Sequence, residues 1–149
     1  MIIIDSEPKN DVYRSLVDLA FDLCDEFILV VRKEIKLNGN VKSVLEKLKP
    51  HLEEMKEQSK WAGTELECGS TAYVYHYHTN PEAREIIKEV LNSLYGWVQH
   101  DFPEDLSFYK NGKPWLVNIA HEKISHILSE DKSEIDRIVN IKGLEISIK

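Results

Sequence analysis

Asp105–Ser129 reads DLSFYKNGKPWLVNIAHEKISHILS. Asn111-Gly112 lies between two runs of alternating apolar residues, and a two-residue hairpin turn selects this pair because both central positions need a positive φ. A turn at that point pairs Lys110 with Lys113, Phe108 with Trp115 and Leu106 with Val117, which makes one face of the hairpin apolar throughout. Ser107, Tyr109, Asn118 and Ala120 fall on the other face, so the alternation agrees with the register that the turn imposes. A second tight turn at His121-Glu122 sets Ile119 against Ile124, Val117 against His126 and Trp115 against Leu128. The stretch is thus expected to form a three-stranded antiparallel meander.

Working outward, Ser129 or Ser133 is expected to cap a short acidic helix that packs Ile135, Ile138 and Val139 on the sheet. Leu144, Ile146 and Ile148 alternate as a last strand, for which Ile2–Ile4 is a candidate edge partner that nothing in the sequence fixes. Upstream, Asn80-Pro81-Glu82 supplies a helix cap, a proline suited to the first turn and an acid near the positive end of the dipole. That helix is read as far as His100, with Ala83, Ile86, Ile87, Val90, Leu94 and Trp97 facing inward. Before it, Thr64–Cys68 and Thr71–His78 alternate as two strands joined at Gly69-Ser70. Tyr73, Tyr75 and Tyr77 then share one face, with Val74, His76 and His78 on the other. The apolar residues of 11–36 recur at helical spacing in two adjacent stripes, and those of 41–55 do so across Pro50, where a kink, or two short helices in line, is expected. Joined at Asn38-Gly39-Asn40, these two segments predict an antiparallel helical hairpin. The expected fold is a single α+β domain over 1–149, with the helical hairpin and a third helix packed on an antiparallel sheet.

At 149 residues, with 42% hydrophobic and 30% charged side chains, the chain is long enough to bury a core without a disulfide or structural metal. The run Met1-Ile2-Ile3-Ile4 stops at Asp5, too short for a signal-peptide core or a membrane span, and a cytoplasmic protein is expected. Cys24 lies in an apolar stripe and Cys68 beside Gly69, so the two thiols are read as separate. A net charge of −7 with dispersed lysines and arginines argues against a phosphate-backbone partner; solubility accounts for it, and attraction to a basic protein partner is the sharper alternative. An edge strand at either terminus offers a route to a homo-oligomer.

Chemistry is sparse. HEKISH places His121 and His126 five residues apart, about 140° around a helix, so the zinc-protease pattern of two histidines on one helical face fails. His76 and His78, on one strand face, form with His121, Glu122 and His126 the only His/Glu set from which a metal site can be assembled. There is no glycine-rich phosphate loop and no nucleophile elbow, and no cofactor is expected. The other candidate is aromatic: Tyr73, Tyr75, Tyr77 and Tyr109 are of the type that binding surfaces favour.

WAGTEL (61–66), YVYHY (73–77), LYGWV (94–98), PEDLSFYKNG (103–112) and PWLVNIAHEK (114–123) resemble phrases of a group of small bacterial proteins without an assigned activity, a likeness that brings no catalytic residues with it. The hairpin and acidic helix at the end of the chain also look like those of some immunity proteins, which sequester a toxin by surface complementarity. The expectation is a non-enzymatic intracellular binding protein, with such an inhibitor as its specific form. The alternative is a small metal-dependent hydrolase built on the His/Glu set.

Overall fold

A computed structural model describes all of residues 1–149. Its elements, in order, are β1 (Ile2–Ile4), α1 (Asp11–Leu23), β2 (Glu26–Arg32), α2 (Gly39–Leu48), β3 (Leu52–Gln58), β4 (Lys60–Trp61) and β5 (Thr64–Glu65). They continue with β6 (Ala72–His78), α3 (Pro81–Val90), β7 (Glu104–Lys110), β8 (Lys113–Ile119), β9 (Ile124–Ile127), α4 (Lys132–Val139) and β10 (Ile146–Ile148). Eight strands form one antiparallel sheet in the order β10-β1-β9-β8-β7-β2-β6-β3, and β4 and β5 form a separate small hairpin. The fold is α+β, with four α-helices beside a large antiparallel sheet.

The expected long helix over 11–36 ends at Leu23, because the residues that follow are the central strand of the sheet. Phe27, Ile28, Leu29, Val30 and Val31 are all buried, at 0, 0, 0, 0 and 5% exposure. A helix buries a stripe, whereas a strand covered on both faces buries every residue, and this β-branched run suits the strand. The helical period matched only because an unbroken apolar run satisfies any period. Phe27 and Leu29 join the main core, while Ile28 and Val30 join a second cluster on the opposite face.

The second expected helix is likewise cut short. Asn38 caps α2 by accepting a hydrogen bond from the Asn40 amide at 2.9 Å, and the helix gives way at Leu48 to a 3-10 turn over Lys49–His51. Pro50, lacking an amide hydrogen, ends the helix rather than kinking it, and Leu52–Gln58 becomes an edge strand. No helical hairpin forms, since β2 runs between α1 and α2, and both helices lie against α3.

Helix α3 begins as expected, with the Asn80 side chain accepting from the Ala83 amide at 2.9 Å, but it stops at Val90. Leu94 and Trp97 reach the core from a separate 3-10 turn over Leu94–Gly96, which Trp97 caps. The Trp97 indole donates to the Tyr13 hydroxyl at 2.9 Å, and that hydroxyl donates to the Ile87 carbonyl at 2.7 Å. Thr64–Cys68 does not pair with β6. Only Thr64-Glu65 is extended, folded back on Lys60-Trp61, and β6 runs between β2 and β3.

The meander is present. Asn111 and Gly112 have φ of 52° and 77°, and Lys110 faces Lys113. Beyond that pair the register shifts: Tyr109 faces Pro114 and Phe108 faces Leu116, so Trp115 stands in a bulge rather than opposite Phe108. Ile119 with Ile124 and Val117 with His126 pair as expected. Asp131, not Ser129 or Ser133, caps α4 by accepting from the Glu134 amide at 3.1 Å. The Ser129 hydroxyl instead donates to the buried Glu134 carboxylate at 2.7 Å, which also receives Lys110 and the Trp115 indole. Ile138 is buried but Val139 is 54% exposed. β10 pairs with β1, a pairing the alternation allowed but did not fix, and this places β1 inside the sheet and leaves β10 and β3 as its edges.

The main core lies between the sheet and its helices. On the opposite face, the β4–β5 hairpin forms a flap that sets Trp61 on Ile28, Val30, Ala72 and Val74. Gly63 at the flap's tip has φ +76°, and a Cβ there would stand 2.6 Å from Cγ1 of Val117, so only glycine lets the flap lie this close. Cys24 is buried and Cys68 exposed, both as free thiols. No helix is long and apolar enough to cross a membrane.

Candidate functional site

The four candidate tyrosines do not share one surface. Tyr77 is 1% exposed, stacked 5.0 Å from Phe27, and belongs to the core. Tyr109 packs against the cluster beneath the flap, where its hydroxyl accepts the Ala62 amide at 3.0 Å; it fastens the flap. Tyr73 and Tyr75 remain half-buried toward the open end of the sheet. Tyr75 stacks 6.4 Å from Tyr77, and burial, with the neighbouring Tyr73, pushes its phenol above the ordinary range. Tyr73 lies under the Lys33 ammonium, 5.0 Å from its ring centroid.

Sheet and helix diverge at this end. A shallow groove of about 260 Å³ opens between α2 and the sheet, floored by Leu45, Leu52, Tyr75 and Tyr77 and rimmed by Lys42, Glu46 and Lys49. Next to it runs the unpaired edge of β3. Met55, opposite Tyr75, is 44% exposed, and Glu53, Glu54, Lys56 and Glu57 are exposed around it.

The expected metal set does not converge. His76 and His78 lie on β6 and His126 on β9, four strand spacings apart in the sheet, roughly 19 Å. His76 is held instead by Gln58, 2.6 Å from Nε2 to Oε1, with Glu26 at 3.4 Å from its Nδ1. His78 is exposed and lies 3.9 Å from Glu53. His126 sits between Val117 and Ile3, where burial, and then the positive amino terminus, lower its pKa. His121 and Glu122 are both exposed, with 3.9 Å between their polar atoms.

His121 has other neighbours. One ligand atom from each of Glu104, Asp105 and His121 lies within 4.8 Å of the other two, with both acids buried and the histidine exposed. Consecutive strand residues ordinarily point to opposite faces. Here Asp105 has φ +59° and the register against β2 shifts between Ile28 and Val30, so the strand twists and both carboxylates reach one place. Glu104, 2% exposed, receives Arg32 Nε on Oε2 at 2.5 Å. Asp105, 0% exposed, receives the Trp61 indole on Oδ2 at 3.1 Å and the Ala120 amide on Oδ1 at 3.0 Å. The Arg32 guanidinium stands 5.4 Å over the Trp61 ring, and the Arg32 amide donates to Gln99 Oε1 at 2.7 Å. Burial, reinforced by the Glu104 charge, raises the Asp105 carboxyl to about 6 against the pull of its hydrogen bonds and of Arg32.

The adjacent acids at 104 and 105, at the head of a strand otherwise bound for the core, were the signal for this cluster. The sequence reading paired His121 with its neighbour Glu122 instead, because nothing local reveals that the meander folds His121 back on the first residues of β7. Compared with family models, curated proteins and solved structures, the chain finds no match.

Proposed function

We propose that this chain is a protein-binding module that takes up an extended segment of a basic partner along β3, in the manner of inhibitors that act by covering a surface. The observation that carries the reading is the juxtaposition of an unpaired seven-residue edge strand with a groove floored by tyrosine and leucine. An open edge presents unpaired backbone donors and acceptors to an added strand, and side-chain pockets beside it supply selectivity. Tyr75, Leu45 and Leu52 form such a pocket, and Met55 lies exposed at its margin. β3 carries Glu53, Glu54 and Glu57, the last two paired at 3.0 Å with Lys56 and Lys33 respectively, so basic side chains of an incoming strand meet Glu53 and exchange with these exposed lysines, and the overall charge of −7 favours their approach. The same charges oppose indiscriminate edge pairing.

Selection of strand-forming peptides on the purified protein is the test. Enriched peptides are expected to alternate Lys or Arg with apolar residues and to bind more weakly at high salt. Tyr75→Ala and Met55→Lys are expected to weaken the selected peptide at least tenfold without loss of fold by circular dichroism. Peptides that bind both variants as well as the wild type would overturn the assignment.

A further inference from the structure

We propose that Glu104, Asp105 and His121 form a binding site for a divalent transition-metal cation, entered from the side of His121. Two carboxylates and an imidazole are the donor set of zinc, manganese and iron(II) sites that leave further positions open to water or an exogenous ligand. The donor atoms already lie within 4.8 Å of one another. Bonds of about 2.0–2.2 Å require them to close by roughly an ångström, and the exposed His121 in its 3-10 turn is the side chain free to do so.

Three observations bear on the site beyond the presence of ligating residues. Each carboxylate is oriented from behind: Arg32 holds one oxygen of Glu104, leaving Oε1 unengaged, while the Trp61 indole and the Ala120 amide take one lone pair on each oxygen of Asp105. Carboxylates bound to metals are held by such outer hydrogen bonds. The twist at Asp105 is the second observation, since regular strand geometry would have separated the two carboxylates. Charge is the third: two buried carboxylates share one guanidinium, so the site carries an excess of negative charge that a dication neutralises. The site is independent of the β3 groove and does not rest on it. It also differs from the His76/His78 set, which lies on another strand and is engaged by Gln58, Glu26 and Glu53.

Titration of ZnCl₂, and separately MnCl₂, into the chelator-treated protein tests this, followed by calorimetry and by tryptophan fluorescence, because the Trp61 indole donates directly to Asp105. One equivalent of at least one ion is expected to bind, with a change in emission. His121→Ala and Glu104→Gln are each expected to weaken binding by about 10-fold to 100-fold. His121 is exposed, so its alanine variant retains the fold, and Glu122→Ala and a His76→Ala, His78→Ala double variant are expected to bind as the wild type does. Absence of stoichiometric binding by either ion, or binding that survives His121→Ala, overturns the site.

Discussion

At the scale of single residues, the two most consequential side chains are buried polar groups. Asp105 holds its proton to about pH 6 in the folded protein against an ordinary value of 3.8. A carboxyl whose pKa rises on folding contributes stability that is complete below about pH 4 and is lost as the pH climbs toward 6, on the order of 3 kcal/mol in all. Urea midpoints for wild type and Asp105→Asn across pH 4 to 7 are expected to show the wild type losing ground to the variant in that window; a difference independent of pH would mean that Asp105 does not titrate there. Tyr13 is 0% exposed and links Trp97 to the carbonyl of Ile87. Tyr13→Phe strands a buried donor and a buried acceptor and is expected to cost about 2–4 kcal/mol in denaturant unfolding. A loss below half of one kcal/mol would show that the two groups find other partners. The role of Tyr13 was not visible in the sequence, where it is one residue of a helix, and that of Asp105 was signalled only by its adjacency to Glu104.

At the scale of elements, the readable parts were those whose signal is local. Asn111-Gly112 and Asn80-Pro81-Glu82 each specify their structure within a few residues and formed where expected, while the alternation of 144–148 yields a strand only over Ile146–Ile148. The segments that misled were 24–36 and 52–58. An apolar run is compatible with helix or strand until something settles whether one face or both are buried, and for 27–31 that is settled by the flap lying across the sheet. The flap's own approach depends on Gly63. Gly63→Ala combines an unfavourable positive φ with a contact at 2.6 Å and is expected to destabilise by about 2–4 kcal/mol. It should also speed exchange of the Trp61 indole proton as its bond to Asp105 loosens. An unchanged melting temperature with the indole still protected would argue against this packing.

At the scale of the molecule, stability is graded across the sheet. β2 is buried on both faces and flanked by β6 and β7, whereas β3 at one edge is exposed along most of its length and β10 at the other has only three residues. Native-state hydrogen exchange is expected to find amides of Phe27–Val31 opening only with global unfolding, and those of β3 and β10 opening at much lower free energy. Equal protection of β3 and β2 would count against a β3 edge free to accept another strand. The same gradient places the groove and open edge where the chain yields most readily to a partner, and the Glu104–Asp105–His121 cluster beside the most rigid strand.

What the sequence by itself determined was the class of the fold, the turn of the hairpin and the cap of α3. These follow from backbone preferences and short-range periodicity, which need no knowledge of distant neighbours. Only the tertiary structure decided that 26–32 is the middle of the sheet, that Tyr77 is core while Tyr75 reaches a groove, and that His121 meets Glu104 and Asp105 rather than His76 or His126. Burial on two faces and convergence of side chains are properties of strand order, and strand order is set by the packing of the whole chain.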